Sequence, residues 1–327
     1  MQSKKCVRSR VATDMTSAWS VKNQMNNFCS LARSYGAASA HIADFQDMIG
    51  NENVISDAFD IEKYTVDWTK VYRGGTVVCF PRSTEDVSKI LRFCNSNRIA
   101  VVPQGGNTGL VGGGVGLSGD EGDQLIMSME KMCSVESIDE SVLICDAGCI
   151  LENLNIECGK KGYIVPLDLG AKGACMIGGN VATNAGGLRV VRYGTLHGSV
   201  LGLEVVQADG TVLDMLRTLR KDNCGYHLPH LFIGSEGTLG VITKVAIALA
   251  LKPRSTAVVW AKVRQHYAWK LSLSVWTASS TIYCSNITLR KVCTYNSPYK
   301  LIGIIFCSGT QTSSKCQSRS RRNIVSF

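Results

Sequence analysis

Residues 103–119 read PQGGNTGLVGGGVGLSG, and this stretch decides the fold. Eight of the 15 residues from 105 to 119 are glycine, and the stretch directly follows IAVV, an apolar run that predicts a strand. Glycines after a strand expose successive backbone N–H groups, and the missing Cβ atoms let a phosphate come close. We therefore expect a phosphate or pyrophosphate site here rather than a flexible turn.

The loop departs from two common nucleotide-binding patterns. A P-loop requires a lysine after its second glycine, and none follows here. A GxGxxG spacing does occur at Gly114, Gly116 and Gly119, but no strand leads directly into it and no helix start follows. We therefore exclude an NAD-type Rossmann domain.

Regular elements surround the loop. TVVCF at 76–80 predicts a strand, and Ser83 with Asp86 three residues later predicts a capped helix. The spacing of Leu151, Leu154 and Cys158 predicts another helix, and the Asp209-Gly210 pair predicts a hairpin turn. Further strands are predicted over 99–103, 125–129, 142–147, 201–208, 211–216, 240–251 and 301–307. Together these patterns indicate an α+β body over residues 73–253.

Two more glycine-rich segments follow the first loop. Residues 166–194 read PLDLGAKGACMIGGNVATNAGGLRVVRYG, and residues 232–243 read FIGSEGTLGVIT. Small residues interrupted by Asn180, Thr183 and Asn184 suit a flat ring system that forms hydrogen bonds. The same residues also suit a Gly/Ala helix packed closely on a sheet, and both interpretations can hold together.

Composition limits the classes of partner. The net charge is +9, but residues 237–327 carry 13 Lys and Arg and no Asp or Glu, whereas residues 1–236 carry 22 basic and 26 acidic residues. This basic tail lacks the dense Lys/Arg blocks of a nucleic-acid arm, so we expect no nucleic-acid partner. No apolar run approaches 18 residues, so we expect no membrane span. The 14 cysteines contain no CxxC pair, which indicates reduced thiols and no metal cluster.

The N-terminal region has the composition of a targeting segment. Residues 1–43 contain six basic residues, seven serines and a single acid, Asp14. This composition predicts a mitochondrial presequence, hence the matrix, and we exclude these residues from the fold as a disordered extension. Residues 44–72 are then a lead-in to the body.

In this order the three glycine-rich segments resemble the FAD-binding domain of the vanillyl-alcohol-oxidase (PCMH) type, a two-subdomain α+β fold. The resemblance covers about Tyr64 to Pro253, and the second segment is most similar to the branch that oxidises D-2-hydroxyglutarate. It implies non-covalent FAD bound by three sets of residues. The pyrophosphate set comprises Pro103, Gly105, Gly106, Asn107, Thr108, Gly109 and Leu110. The dinucleotide, flavin and ribityl set comprises Pro166, Leu167, Gly170, Ala171, Gly178, Gly179, Asn180, Thr183, Asn184, Gly186 and Gly187. The third set, for adenine and ribityl, comprises Glu236, Gly237, Val241 and Ile242.

The resemblance also implies a reaction. Family members of this branch oxidise a small 2-hydroxy acid by hydride transfer to flavin, and an electron-transfer flavoprotein then accepts the electrons. The alternatives are a D-lactate or glycolate dehydrogenase of the same fold, or a catalytically inactive FAD-binding fragment. His197 could attach flavin covalently, and His227 with His230 could bind a metal. We interpret that histidine pair as a surface pair because no third ligand is near it in sequence.

The resemblance stops after about Arg264. In the family, a C-terminal domain supplies the substrate-binding arginine and lysine, a catalytic histidine and His/Glu ligands for a divalent metal. Residues 254–327 contain no acid, and their only histidine is His266. We therefore expect no catalytic or metal-binding residue in this chain. We also expect residues 254–327 to be a poorly structured basic tail that replaces the substrate domain, as a truncated or frame-shifted coding sequence would produce.

Overall fold

The computed structural model describes residues 36–117, 123–253, 255–263, 284–292 and 300–308. Within them the chain divides into two units. The first runs to Ser128 and includes Ala208–Thr211, and the second contains Met129–Gln207 and the residues from Val212 onward. This division confirms the predicted α+β fold with two subdomains.

The first unit contains a four-stranded sheet with the order β1-β2-β4-β3. Its strands are β1 (Val54–Ile55), β2 (Val77–Cys79), β3 (Val101–Gln104) and β4 (Leu125–Ser128). Its helices are α1 (Ile42–Ile49), α2 (Glu62–Thr65) and α3 (Thr84–Asn97), with short 3-10 turns at Ala38–His41 and Asn51–Asn53. β4 pairs parallel with both β2 and β3, so β2, α3 and β3 form the predicted β-α-β unit. The first glycine-rich loop leaves the carboxyl end of β3.

Helix α3 begins at the predicted cap. The Ser83 hydroxyl accepts a hydrogen bond from the backbone N–H of Asp86 at 3.2 Å. Val87 and Ile90 on its inner face are fully buried. The capping pattern and the helical spacing of apolar residues were therefore sufficient to predict this element.

Replacing Ser83 with alanine should lower the free energy of unfolding by about 1 kcal/mol, because the Asp86 N–H loses its acceptor. The matched control is Ser96→Ala in the last turn of the same helix, where the hydroxyl bonds the Arg92 carbonyl and supplies no cap. Urea unfolding of both variants measures the difference. Equal stability of the two variants would contradict the capping role.

Residues 36–43 belong to the first unit, which corrects their exclusion from the fold. Gly36 forms an isolated parallel β-bridge with Ile99, and the Ala38 side chain is fully buried. The Ser39 hydroxyl donates to Asp123 Oδ2 at 2.5 Å, and Thr76 donates to Asp123 Oδ1 at 2.5 Å. Although burial opposes them, these hydrogen bonds lower the pKa of Asp123. No local pattern indicates this attachment, because Ser39 and Asp123 lie 84 residues apart. Residues 1–35, which hold most of the predicted presequence, lie outside the described residues.

The second unit is built on a five-stranded antiparallel sheet with the order β5-β6-β10-β8-β9. Its strands and the small β11-β7 pair are β5 (Val135–Asp139), β6 (Val142–Asp146), β7 (Tyr163–Ile164), β8 (Val200–Val206), β9 (Val212–Met215), β10 (Val241–Ala248) and β11 (Ala250–Leu251). Its helices are α4 (Leu151–Lys160), α5 (Ile177–Ala182), α6 (Val190–Tyr193) and α7 (Pro229–Phe232), with 3-10 turns at Met129–Lys131 and Leu196–Gly198. The predicted hairpin on Asp209-Gly210 is β8-β9.

The tail contains more regular structure than the sequence predicted. Strands β12 (Ser255–Val263), β13 (Cys284–Val292) and β14 (Lys300–Ser308) form an antiparallel sheet in the order β12-β14-β13. Only β14 coincides with a strand predicted from its apolar run. The other two strands both contain valine and threonine, and β13 also contains isoleucine; these residues favour extended backbone even where apolar periodicity is weak. Among the described helices, none has both the length and the apolar character needed to cross a bilayer.

Candidate cofactor site

The first glycine-rich loop is held closed by a buried glutamine. Gln104, at the end of β3, is 2% exposed. Its Nε2 donates to the Tyr64 carbonyl at 2.7 Å and to the Gly114 carbonyl at 2.6 Å. Asn107 adds a bond from Nδ2 to the Val66 carbonyl at 2.8 Å and has a left-handed backbone, with φ of 49°. These side chains fix the start and the end of the loop.

The middle of the loop presents free backbone donors. The N–H groups of residues 106–114 donate no hydrogen bond within the part of the chain that the structure describes. The Thr108 hydroxyl likewise has no partner there, and a Cβ at Gly109 would have no atom within 4 Å. A run of unsatisfied donors beside open space is an anion-binding concavity. The loop therefore fits a pyrophosphate.

The second segment folds back on itself. Leu167 is buried, and a Cβ on Gly187 would lie 2.3 Å from the Asp168 carbonyl oxygen, so the two ends of the segment touch through backbone. Arg189 fixes this arrangement, because its Nη1 donates to the carbonyls of Val165 at 2.5 Å and Leu167 at 3.2 Å. Sequence reasoning did not single out Arg189, since nothing local shows which carbonyls a guanidinium will reach. A Cβ on Gly170 or on Gly186 would meet no atom within 4 Å.

Helix α5 combines close packing with an unsatisfied polar group. A Cβ on Gly178 would lie 2.5 Å from the Ala147 Cβ, and the Gly178 N–H donates to the Ala147 carbonyl at 2.7 Å. Asn180 is 5% exposed, and its side-chain amide makes one weak contact among the described residues, Nδ2 to Cys175 Sγ at 3.5 Å. Because buried amides normally satisfy their oxygen as well, Asn180 is suited to a polar ligand. The close packing of Gly178 on Ala147 confirms the interpretation of the segment as a helix packed on a sheet, and the binding of a ring system stays a prediction.

The third segment docks on the end of α5. The N–H groups of Gly234 and Glu236 donate to the carbonyls of Val181 and Ala182 at 3.1 and 2.9 Å. Left-handed backbone at Asn184, Gly234, Glu236 and Gly237 allows this tight approach, with φ of 45°, 80°, 52° and 78°. Within the second unit the structure therefore brings the second and third predicted segments together.

The remaining predicted residues have these positions. Pro103 lies in β3, and Gly105, Gly106 and Leu110 lie in the first loop. Ala171 is exposed, Gly179 and Thr183 lie on or directly after α5, and Val241 and Ile242 are buried in β10, paired with Val206 and Val205. Pro166 follows β7 and is buried. Their contacts with FAD stay predictions.

Three histidines lie together in the second unit. The His197 and His230 ring centroids are 4.1 Å apart, and those of His227 and His230 are 4.7 Å apart. His197 is distant from the His227–His230 pair in sequence but lies beside His230 in space. Nevertheless, no group of three His, Cys, Asp or Glu side chains in the described residues is arranged to hold a metal. Burial, and then the neighbouring rings of His197 and His227, lower the pKa of His230 below its usual 6.5.

This shift predicts acid sensitivity. Because His230 is harder to protonate in the folded state, the unfolded chain binds more protons as the pH falls below 6.5, and the free energy of unfolding decreases. We expect His230→Gln to lose less stability than the original chain between about pH 7.5 and about pH 5. The control is His41→Gln, outside the cluster. Urea midpoints measured across this range check the prediction, and identical pH profiles for His230→Gln and the original chain would contradict it.

Comparison with known proteins agrees with this geometry. The family described as "FAD binding domain" matches residues 76–216. A probable mitochondrial D-2-hydroxyglutarate dehydrogenase of Oryza sativa subsp. indica is 50% identical over 270 residues, which cover 77% of this chain and 47% of the relative. The mitochondrial D-2-hydroxyglutarate dehydrogenase of Arabidopsis thaliana is 56% identical over 212 residues, which cover 64% of this chain and 37% of the relative. The enzyme of the same name from Bos taurus is 55% identical over 210 residues, which cover 63% of this chain and 38% of the relative.

A solved structure shares the fold. Alkyldihydroxyacetonephosphate synthase superposes with a TM-score of 0.70 at 17% identity, covering 83% of this chain and 56% of that one. The chain spans less than half the length of the curated relatives named above. Residues 76–216 are thus an FAD-binding domain, and the chain is a homologue of the mitochondrial D-2-hydroxyglutarate dehydrogenases.

Proposed function

We propose that this chain binds FAD non-covalently through its three glycine-rich segments. The observation that supports this most strongly is the run of backbone N–H groups at 106–114 without acceptors among the described residues. These groups would hold the pyrophosphate. When bound, FAD supplies the acceptor for a hydride.

The second and third segments would hold the rest of the cofactor. The Asn180 amide would donate to or accept from the polar edge of the ring or the ribityl chain, which would satisfy a side chain that is otherwise buried with one weak contact among the described residues. Gly186 leaves room for the cofactor beside α5. Glu236, held on α5 by a backbone hydrogen bond, and the adjacent Gly237 would complete the wall.

We further propose that the reaction this domain serves is the oxidation of D-2-hydroxyglutarate to 2-oxoglutarate in the mitochondrial matrix, with an electron-transfer flavoprotein as acceptor. The support is 50–56% identity to relatives with that name from plants and animals. A putative D-lactate dehydrogenase of Schizosaccharomyces pombe is 47% identical over 226 residues, so D-lactate is the competing substrate to test.

We propose that residues 254–327 do not supply the substrate-binding groups. They contain no Asp or Glu and a single histidine, His266, so they offer no His/Glu set for a divalent metal that would orient the hydroxy acid beside the flavin. The chain would then bind FAD with little turnover of its own.

The test is the visible spectrum of the FAD-reconstituted chain during anaerobic addition of D-2-hydroxyglutarate. We expect the flavin to stay largely oxidised with this acid, while dithionite bleaches it and confirms that it can be reduced. D-lactate, glycolate and L-2-hydroxyglutarate are added in parallel experiments as alternative substrates for comparison. Rapid bleaching by D-2-hydroxyglutarate would show that the chain holds a working substrate site, and faster bleaching by D-lactate or glycolate would assign a different substrate.

A further inference from the structure

The second unit contains a cavity of about 560 Å³ whose lining lies mostly outside the glycine-rich segments, with only Pro166 and Tyr193 contributed by the second of them. It lies where β7 and β11 pair, and its lining includes Arg220, Ser141, Ser199, Tyr163 and Tyr193. The lining contains one cationic side chain and no carboxylate. This inference does not depend on the function proposed above.

Arg220 is held in the lining by neutral groups. Its Nη2 donates to Ser141 Oγ at 2.6 Å, to the Ser141 carbonyl at 3.4 Å and to the Leu249 carbonyl at 3.2 Å. Nη1 and Nε have no acceptor, and no acid pairs with the guanidinium, among the residues the structure describes. The positive charge is therefore positioned but not neutralised.

Hydroxyl groups around Arg220 are also without partners. Ser199 is 8% exposed, yet its hydroxyl forms no hydrogen bond within the described ranges. The phenol oxygens of Tyr163 and Tyr193 likewise form none there. A buried hydroxyl usually has a partner, so the Ser199 hydroxyl points to a missing ligand. One guanidinium with several hydroxyl donors is a set that recognises an oxyanion.

Within the second unit, this cavity is separate from the third cofactor segment. Ala248 and Leu249 line it, at or just beyond the far end of β10 from Val241. At about 3.3 Å per residue, Val241 and Ala248 are about 23 Å apart. The cavity shares only Pro166 with the predicted cofactor residues.

We propose that this cavity binds a small molecule through a carboxylate or phosphate group, with Arg220 as the anchoring charge and Ser199, Tyr163 and Tyr193 as hydroxyl donors. Isothermal titration of the purified chain, with and without added FAD, with inorganic phosphate and, separately, with succinate tests it. We expect saturable binding of at least one. Binding of phosphate alone identifies a phosphate ligand, and binding of succinate alone identifies a carboxylate.

Variants make the assignment specific. Arg220→Gln should weaken binding by about tenfold or more, because a charged hydrogen-bond donor is lost. The matched control is the neighbouring Lys221→Gln, which does not line the cavity and should bind as the original chain does. Arg220 also ties Ser141 to Leu249, so melting temperatures accompany each titration. Tyr193→Phe keeps the ring and should weaken binding without changing the melting temperature. Absence of saturable binding by both anions, or unchanged binding in Arg220→Gln and Tyr193→Phe, would overturn the proposal.

Discussion

Replacing Gly109 with aspartate should abolish FAD binding and leave the folded structure intact. A Cβ at this position meets no atom within 4 Å, and the residue is not in the left-handed region, so the fold can accept the side chain. A carboxylate placed about 4 Å from a phosphate would repel it by about 4 kcal/mol at an effective dielectric constant of about 20. That energy corresponds to a roughly thousandfold weaker complex.

Gly109→Ser is the matched control for this variant. Serine adds a neutral side chain of modest size at the same open position, so FAD affinity should fall far less than with aspartate. Quenching of flavin fluorescence gives the affinities, and melting curves of the cofactor-free proteins show whether the fold is retained. If Gly109→Asp bound FAD as tightly as Gly109→Ser, the pyrophosphate would not lie at this loop.

Replacing Gly178 with valine should destabilise the second unit and remove FAD binding together. The new Cβ would lie 2.5 Å from the Ala147 Cβ and 3.0 Å from the Ala147 carbonyl oxygen, and neither atom belongs to a flexible side chain. Helix α5 must therefore move away from the sheet, and the 2.7 Å hydrogen bond from Gly178 N–H is lost. Overpacking and the lost bond together cost about 3 kcal/mol. Asn180 and Thr183 move with the helix, so their cofactor contacts would be lost too.

Gly186→Ala is the matched control in the same segment. No atom lies within 4 Å of its Cβ position, so its free energy of unfolding should change by less than about 0.5 kcal/mol. Urea unfolding of both variants decides the point. Equal stability of Gly178→Val and Gly186→Ala would show that α5 is not packed against Ala147 as described.

Much of the fold was predictable because its signals are local. The cap at Ser83, the apolar face of α3 and the Asp209-Gly210 turn each depend on residues a few positions apart, and all three are present. Strand β5 was missed because three of its five residues are exposed and its sequence, VESID, shows little apolar alternation. Residues 36–43 contain no Lys or Arg and were misassigned because they were grouped with the basic, acid-poor residues before them. Their attachment depends on distant partners such as Asp123.

The candidate site likewise has a part that local sequence predicts and a part that it does not. Glycine content and asparagine spacing predicted which segments would be tightly packed and rich in free donors, because these properties belong to the residues themselves. Three other features join residues that lie far apart in the chain. They are the hydrogen bonds from Arg189 to the Val165 and Leu167 carbonyls, the contact between the His197 and His230 rings, and the cavity around Arg220. No local pattern contains that information.

The most direct test of the central claim, that this chain binds FAD, is gel filtration of the purified chain after incubation with FAD, followed by its visible spectrum. We predict that flavin absorbance elutes with the protein in stoichiometric amount, and that Gly109→Asp elutes without it. Elution of all flavin with the free small molecules, from a chain whose melting curve shows it to be folded, would contradict the account.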